Sequence, residues 1–136
     1  MKKILFFVVS FLSIFILTGC SGSSKITGKW HVTDPNETSA ILKIEKNSLI
    51  LDGQKMKYTQ NGTGINKKTK YYVLKMEESQ KLFSIIFPEG KKDEAIMLQI
   101  DDIDEPYKGK MVFALNKSKI PSYGEYAKKI YEPLII

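Results

Sequence analysis

The sequence of 136 residues contains few of the side chains that most often carry chemistry, with one cysteine, one histidine and no arginine. A single cysteine excludes a disulfide within the chain, and a conventional zinc site needs three or four ligands. Specific recognition of nucleic acids favours the guanidinium fork of arginine, so its absence argues against a nucleic-acid partner. The sequence therefore gives no indication of an enzyme, a metal site or a cofactor.

The one cysteine, Cys20, follows an apolar leader. Lys2 and Lys3 precede an uncharged run over 4–17, and this order is typical of a secretory signal. The run is too short for a comfortable bilayer span, which needs about 20 apolar residues. The end of the leader, Leu17-Thr18-Gly19-Cys20, resembles the lipobox of bacterial lipoproteins. This resemblance implies that Cys20 receives a diacylglycerol thioether and becomes the mature N-terminus after cleavage.

Two alternatives for Cys20 are a buried apolar side chain and a catalytic thiol. The following residues, Ser21-Gly22-Ser23-Ser24, have the composition of a flexible linker and argue against both. We therefore divide the chain into a signal peptide over 1–19, a lipidated cysteine with a linker over 20–25, and a domain over 26–136. Acylation at Cys20 would anchor this domain to the cell membrane at its extracytoplasmic face.

The charge of the chain is moderately basic. Loss of Lys2 and Lys3 with the leader leaves a net charge of about +4. Such an excess favours proximity to an anionic surface, where each nearby lysine contributes about 1 kcal/mol. Simple solubility accounts for the same excess, and both interpretations remain open.

From Ile26 onward, short alternating apolar runs are separated by turn residues. The clearest local signal is Asp52-Gly53 between two such runs, which predicts a type I′ hairpin because both residues must adopt positive φ. We expect the segment from Asn61 to Lys70 to be a flexible loop that carries several lysines. Seven or eight strands at near-even spacing predict an all-β fold, a small antiparallel meander barrel that ends near Leu115.

The end of the chain changes to a helical period. Ser122 and Glu125 fit a capping box, and the apolar face that follows predicts a short helix near Ser122–Tyr131 that packs on the barrel or meets a partner. The residues that we expect in the core are Trp30, Leu42, Ile44, Leu49, Leu51, Met56, Tyr58, Leu74, Ile96, Leu98, Met111 and Phe113.

Gly28-Lys29-Trp30 on the first strand resembles the Gly-X-Trp signature of lipocalins and lipocalin-like barrels. The resemblance implies that Gly28 permits a tight turn at the closed end of the barrel and that Trp30 plugs this end. In that family an arginine from the last strand covers the tryptophan, and here Lys117 or Lys119 would take its place. The domain also resembles small surface lipoproteins of Gram-positive bacteria whose function is unknown, through this strand, the Asp-Gly hairpin and the segment Pro121–Tyr126.

Two non-catalytic functions are compatible with these patterns. The first is binding of a small apolar or amphipathic ligand inside the barrel, with Met56, Tyr58, Tyr72 and Met76 as the lining, because Met adapts its shape and Tyr offers a polar tip. The alternative is a surface interaction module with a filled barrel, which binds a protein or an anionic envelope polymer. An eight-stranded barrel is only just wide enough for either interior.

One acidic segment has the composition of a cation site. Four carboxylates follow the seventh predicted strand, and oxygen ligands of this kind suit calcium. The segment lacks the glycine and the distal glutamate of an EF-hand loop, so we interpret it as a solvated loop and predict no metal site. The four residues are Asp101, Asp102, Asp104 and Glu105.

Overall fold

The computed structural model describes residues 22–66 and 68–135, which form one closed barrel of eight antiparallel strands followed by a helical segment. Each strand pairs with the next along the chain, and the first strand also pairs with the last. The predicted all-β meander barrel is confirmed. Its strands are β1 (Gly28–Thr33), β2 (Ser39–Ile44), β3 (Ser48–Leu51), β4 (Gln54–Asn66), β5 (Thr69–Met76), β6 (Leu82–Phe87), β7 (Glu94–Ile100) and β8 (Gly109–Asn116).

The turn between β3 and β4 has the predicted form. Asp52 and Gly53 adopt φ values of 51° and 78°, and Leu51 pairs with Gln54 across the turn. Positive φ at both central residues matches the right-handed twist of the flanking strands. This hairpin follows from local sequence alone.

The segment from Asn61 to Lys70 differs from the expected flexible loop, because β4 continues through it to Asn66. The register shifts between Gln60 and Gly62, so the strand carries a bulge there. Gly64 pairs directly with Tyr71, and a Cβ on Gly64 would lie 2.6 Å from the Tyr71 hydroxyl oxygen. Gly64 therefore permits close approach of a neighbouring side chain within a strand.

The helical segment at the end of the chain comprises α1 (Tyr123–Tyr126), a π-helical turn (Ala127–Tyr131) and α2 (Glu132–Ile135). The Ser122 hydroxyl accepts a hydrogen bond from the Glu125 N–H at 3.3 Å, so the predicted N-cap is present. The Glu37 carboxylate, from the loop between β1 and β2, accepts hydrogen bonds from the Tyr123 and Gly124 N–H groups at 3.0 Å. The start of the segment is thus fixed to a loop that is distant in sequence.

One apolar cluster fills the interior of the barrel. Trp30, Leu74 and Ile85 are fully buried there, and side chains from every strand contribute to the cluster or pack against it. Leu51, Met56 and Phe113, which we expected in the core, are only partly buried. Leu51 lies beside the Asp52–Gly53 turn, and Phe113 lies where β8 extends beyond its pairing with β1.

A second apolar cluster lies on the outer wall of β5 to β8, beneath the helical segment. Tyr126 and Ile130 of that segment are buried against it, with 4% and 3% of their surface exposed. Ile96, Leu98 and Met111 are buried as predicted, but they belong to this outer cluster and do not line the barrel. The helical segment therefore gives the barrel wall a second core.

Tyrosine hydroxyl groups attach the helical segment to β8. The Tyr123 hydroxyl donates to the Met111 carbonyl oxygen at 2.6 Å, and the Tyr131 hydroxyl donates to the Gly109 carbonyl oxygen. The Asn116 side-chain amide donates to the Tyr126 hydroxyl oxygen at 2.8 Å. The tyrosine-rich face is thus used for packing within the chain.

Candidate functional site

One end of the barrel is closed by the segment that leads into β1. The Ile26 and Thr27 N–H groups both donate to the Ser23 carbonyl oxygen, which folds this segment into a tight turn. Trp30 lies beneath the turn, fully buried, and its indole Nε1–H donates to the Ile26 carbonyl oxygen at 2.9 Å. Gly28 connects the turn to Trp30 and has a φ of +126°, a backbone conformation that residues with a Cβ rarely adopt. This arrangement matches the one implied by the Gly-Lys-Trp motif.

A lysine covers the plug residue. The Lys117 Nζ lies 5.0 Å from the centroid of the Trp30 ring, within the range of a cation–π contact. Lys117 follows β8 directly, so of the two lysines expected for this place it is the one that takes it. Trp30 also contacts Phe87, with ring centroids 5.8 Å apart. Tyr72 meets Phe87 edge to face at 5.9 Å, so the three rings form one aromatic cluster.

The aromatic cluster lies beneath a recess of about 290 Å³ at this end. Tyr72 and Phe87 supply the floor, and five lysines surround it. None of the five forms an ion pair with a carboxylate among the residues described. The recess is lined by Ser24, Lys25, Lys70, Tyr72, Phe87, Lys91, Lys92 and Lys117. An apolar floor within a ring of ammonium groups suits an anionic group attached to an apolar body.

The topology of the barrel brings these lysines together from four segments. Lys25 precedes β1, Lys91 and Lys92 lie in the loop between β6 and β7, and Lys117 follows β8. In a meander barrel all three segments meet at the same end. Lys70 lies near the start of β5 and shares a face with Tyr72, two residues later, because side chains alternate along a strand. One feature of the sequence indicates this cluster, namely that lysines occur in every second connecting segment. The four predicted lining residues were chosen from the strands alone, so that prediction did not use the lysines.

The four residues predicted to line a pocket lie in two different places. Tyr72 contributes to the recess. Tyr58 and Met76, which are paired neighbours on β4 and β5, are buried in the filled interior, and Met56 packs against that interior. The Tyr58 hydroxyl donates to the Glu45 carbonyl oxygen, and burial raises the pKa of Tyr58 to about 12. The structure therefore brings one of the four predicted lining residues to the recess.

Cys20 lies outside the residues that the structure describes. Across 22–66 and 68–135, no three His, Cys, Asp or Glu side chains come together as a group that could hold a metal ion. In the acidic segment, the Asp102 carboxylate accepts a hydrogen bond from the Asp104 N–H at 2.9 Å, which shapes the loop. No helix in these ranges combines the length and the apolar character needed to span a bilayer.

Comparisons with family models, curated protein sequences and solved structures found no match to this chain. The resemblance to lipocalin-like barrels therefore rests on the Gly-Lys-Trp motif together with the barrel architecture.

Proposed function

We propose that this protein is a membrane-anchored lipoprotein of the extracytoplasmic face with a non-catalytic binding role, and that its recess takes a small anionic, amphipathic ligand. The observation that carries the binding role is the ring of five lysines around the Tyr72 and Phe87 floor. Anchoring at Cys20 rests on the lipobox at the end of the apolar leader.

The packing of the interior supports the recess as the ligand site in preference to the centre of the barrel. Trp30, Leu74 and Ile85 are fully buried and fill the space between the strands. A ligand at the centre would have to displace these side chains, whereas a ligand in the recess only displaces water from lysines and two aromatic edges. The expected binding mode places the anionic group among the lysines and the apolar body on the rings.

The ligand proposal is tested with the segment 22–136, because the barrel and both apolar clusters lie within it. The probe is hexyl phosphate, with inorganic phosphate and hexanol as separate controls, and the readout is the fluorescence of Trp30, the one tryptophan of the chain. Because Lys117 covers Trp30, occupation of the recess should change the emission. We expect hexyl phosphate to bind more tightly than either control.

Matched variants locate the site. Lys91→Gln with Lys92→Gln should lower the affinity for hexyl phosphate by roughly tenfold or more, since hydrogen bonds to charged groups contribute about 1.5–3 kcal/mol. Lys81→Gln with Lys110→Gln removes the same charge away from the recess and should leave the affinity nearly unchanged. Equal losses in both pairs, or tighter binding of inorganic phosphate than of hexyl phosphate, would contradict the proposal. Tighter binding of inorganic phosphate would favour the alternative, an anionic polymer that binds the lysines without contacting the aromatic floor.

Anchoring is tested by Cys20→Ala in the full chain. We expect an unprocessed protein of higher mass or release from the membrane fraction, because the acylated residue is lost. A variant that remains in the membrane fraction at the mass of the mature protein would exclude the anchor. This result is independent of ligand binding, so the two parts of the proposal can fail separately.

A further inference from the structure

The two ends of the barrel carry opposite charge. At the recess end, the described connecting segments and the start of β5 contain eight lysines and three carboxylates. At the opposite end, the loops that follow β1, β3 and β5 contain five carboxylates and one lysine. The lysines of the recess end are Lys25, Lys46, Lys68, Lys70, Lys91, Lys92, Lys117 and Lys119. The carboxylates of the opposite end belong to Asp34, Glu37, Asp52, Glu77 and Glu78.

The loop between β7 and β8 does not belong to either set. It leaves the opposite end and folds along the outer wall, where the Tyr107 ring meets Tyr71 with centroids 5.4 Å apart. The Thr69 hydroxyl donates to the Tyr107 hydroxyl oxygen at 2.9 Å, close to the tip of the hairpin of β4 and β5. Its carboxylates, including Asp104 and Glu105, therefore flank one side of the lysine-rich end, and the recess lies away from them.

The chain enters the barrel at the lysine-rich end. The Gly22 N–H donates to the Lys46 carbonyl oxygen at 2.6 Å, and the Ser23 N–H donates to the Gln60 side-chain oxygen at 2.7 Å. The expected linker is thus attached to the barrel from residue 22 onward. Cys20 precedes Gly22 by two residues, and two residues span at most about 7 Å. A lipid on Cys20 would therefore hold this end of the barrel at the bilayer surface.

We propose that the lysine-rich end is the membrane-facing surface of the protein and that its partner is the anionic headgroup layer of the bilayer. This inference rests on the proposed anchor and names the ligand of the recess as the headgroup phosphate of a membrane lipid with net negative charge. Each lysine near an anionic surface strengthens binding about fivefold, and the tether keeps the lysines at a high effective concentration near the headgroups. The acidic opposite end is repelled, so the barrel docks in one orientation.

The test uses the full chain reconstituted in vesicles, so that the anchor remains the same throughout. The vesicles contain phosphatidylcholine alone or mixed with phosphatidylglycerol, with a trace of dansyl-labelled headgroup lipid. Energy transfer from Trp30, which lies at the lysine-rich end, reports the distance of this end from the headgroups. We expect greater transfer on vesicles that contain phosphatidylglycerol, and a loss of this increase in high salt, where the Debye length falls from about 10 Å to about 3 Å.

The charge variants make the test specific. Lys91→Gln with Lys92→Gln should weaken docking on anionic vesicles about fivefold for each lysine removed, whereas Lys81→Gln with Lys110→Gln should retain the increase in transfer. Equal transfer on both kinds of vesicle, or equal losses in the two variant pairs, would overturn the docking surface. If either of these results is obtained while hexyl phosphate still binds the segment 22–136, the proposed ligand site stands and only the membrane orientation fails.

Discussion

The two halves of the barrel wall are built differently, although both belong to one meander. In β2 the side chains alternate between exposed and buried, because only the interior face is covered. In β6 and β7 every residue is buried or partly buried, because the helical segment covers the outer face. The sequences differ in the same way, with Lys43 between apolar neighbours in β2 and the continuous run Ile85-Ile86-Phe87 in β6. Loss of alternation in a strand therefore indicates an outer cover.

The largest effect in this comparison should come from the interior core. Trp30→Ala removes the plug of the closed end, and we expect it to lower the free energy of unfolding by about 3–5 kcal/mol, as for other buried aromatic side chains. Trp30→Phe retains a ring but loses the hydrogen bond to Ile26 and should cost less. Urea unfolding of the segment 22–136, followed by far-ultraviolet circular dichroism, measures both. Equal costs for the two variants would mean that ring volume contributes little at this end.

The outer core should contribute less per residue, because a helical segment at the surface can shift to refill a space. Ile130→Ala should lower the free energy of unfolding by about 2–3 kcal/mol, near the low end for buried aliphatic truncation. Lys128→Ala, on the exposed face of the same segment, is the matched control and should stay within about 0.5 kcal/mol of the wild type. If Ile130→Ala were as mild as this control, the segment would be an attachment without a core of its own.

The stability of the protein at alkaline pH tests one buried tyrosine in each half of the barrel wall. Burial raises the pKa of Tyr58 to about 12, and burial also raises the pKa of Tyr126. The unfolded chain loses these protons near pH 10, so their contribution to stability is complete below pH 10 and is lost as the pH rises toward 12. We expect a loss of about 1–2 kcal/mol over this range.

Phenylalanine variants assign that loss. Tyr58→Phe should flatten the dependence of the unfolding free energy on pH between 10 and 12, and Tyr126→Phe should flatten it less. Urea unfolding at pH 9.5 and at pH 11 provides the comparison. A pH dependence in Tyr58→Phe that is equal to or steeper than that of the wild type would contradict the origin of the effect in Tyr58.

The smallest effect should come from the lysine that covers Trp30. Lys117→Gln removes a partly exposed cation–π contact, which typically contributes about 0.5–1 kcal/mol. It should also shift the emission of Trp30, whereas Lys119→Gln should change neither quantity. Loss of stability without a shift in emission would indicate that Lys117 acts elsewhere than on the indole.

Local features were predictable from the sequence. Asp52-Gly53 specifies its own turn through two positive φ angles. Ser122 specifies the start of the helix through the hydrogen bond that its hydroxyl accepts from the Glu125 N–H. The position of Trp30 was implied by the resemblance of its motif to that of lipocalins, and its lysine cover was implied by the same resemblance. Each of these depends on neighbours in sequence or on a single recognised pattern.

Features that depend on distant segments were not predictable in the same way. The side of the wall on which Ile96 and Leu98 lie depends on the helical segment and on a bulge between Met97 and Leu98. Gly64, one of the glycines that indicated a loop, instead makes room for the Tyr71 side chain, a contact that exists only after β4 and β5 have paired. The recess needs lysines from four segments, so it appears only when the order of the strands around the barrel is known.

The seam that closes the barrel has a consequence for synthesis. β1 and β8 meet over three residue pairs, from His31–Asn116 to Thr33–Ala114, and the Thr33 hydroxyl then donates to the Pro121 carbonyl oxygen at 2.7 Å. β1 is therefore made first but can pair along this edge only after β8 has been made. A nascent chain that does not yet reach Asn116 presents two unpaired strand edges. Such edges are templates for association with other chains. The segment from β8 onward therefore closes the barrel and removes both edges as sites of association with other chains.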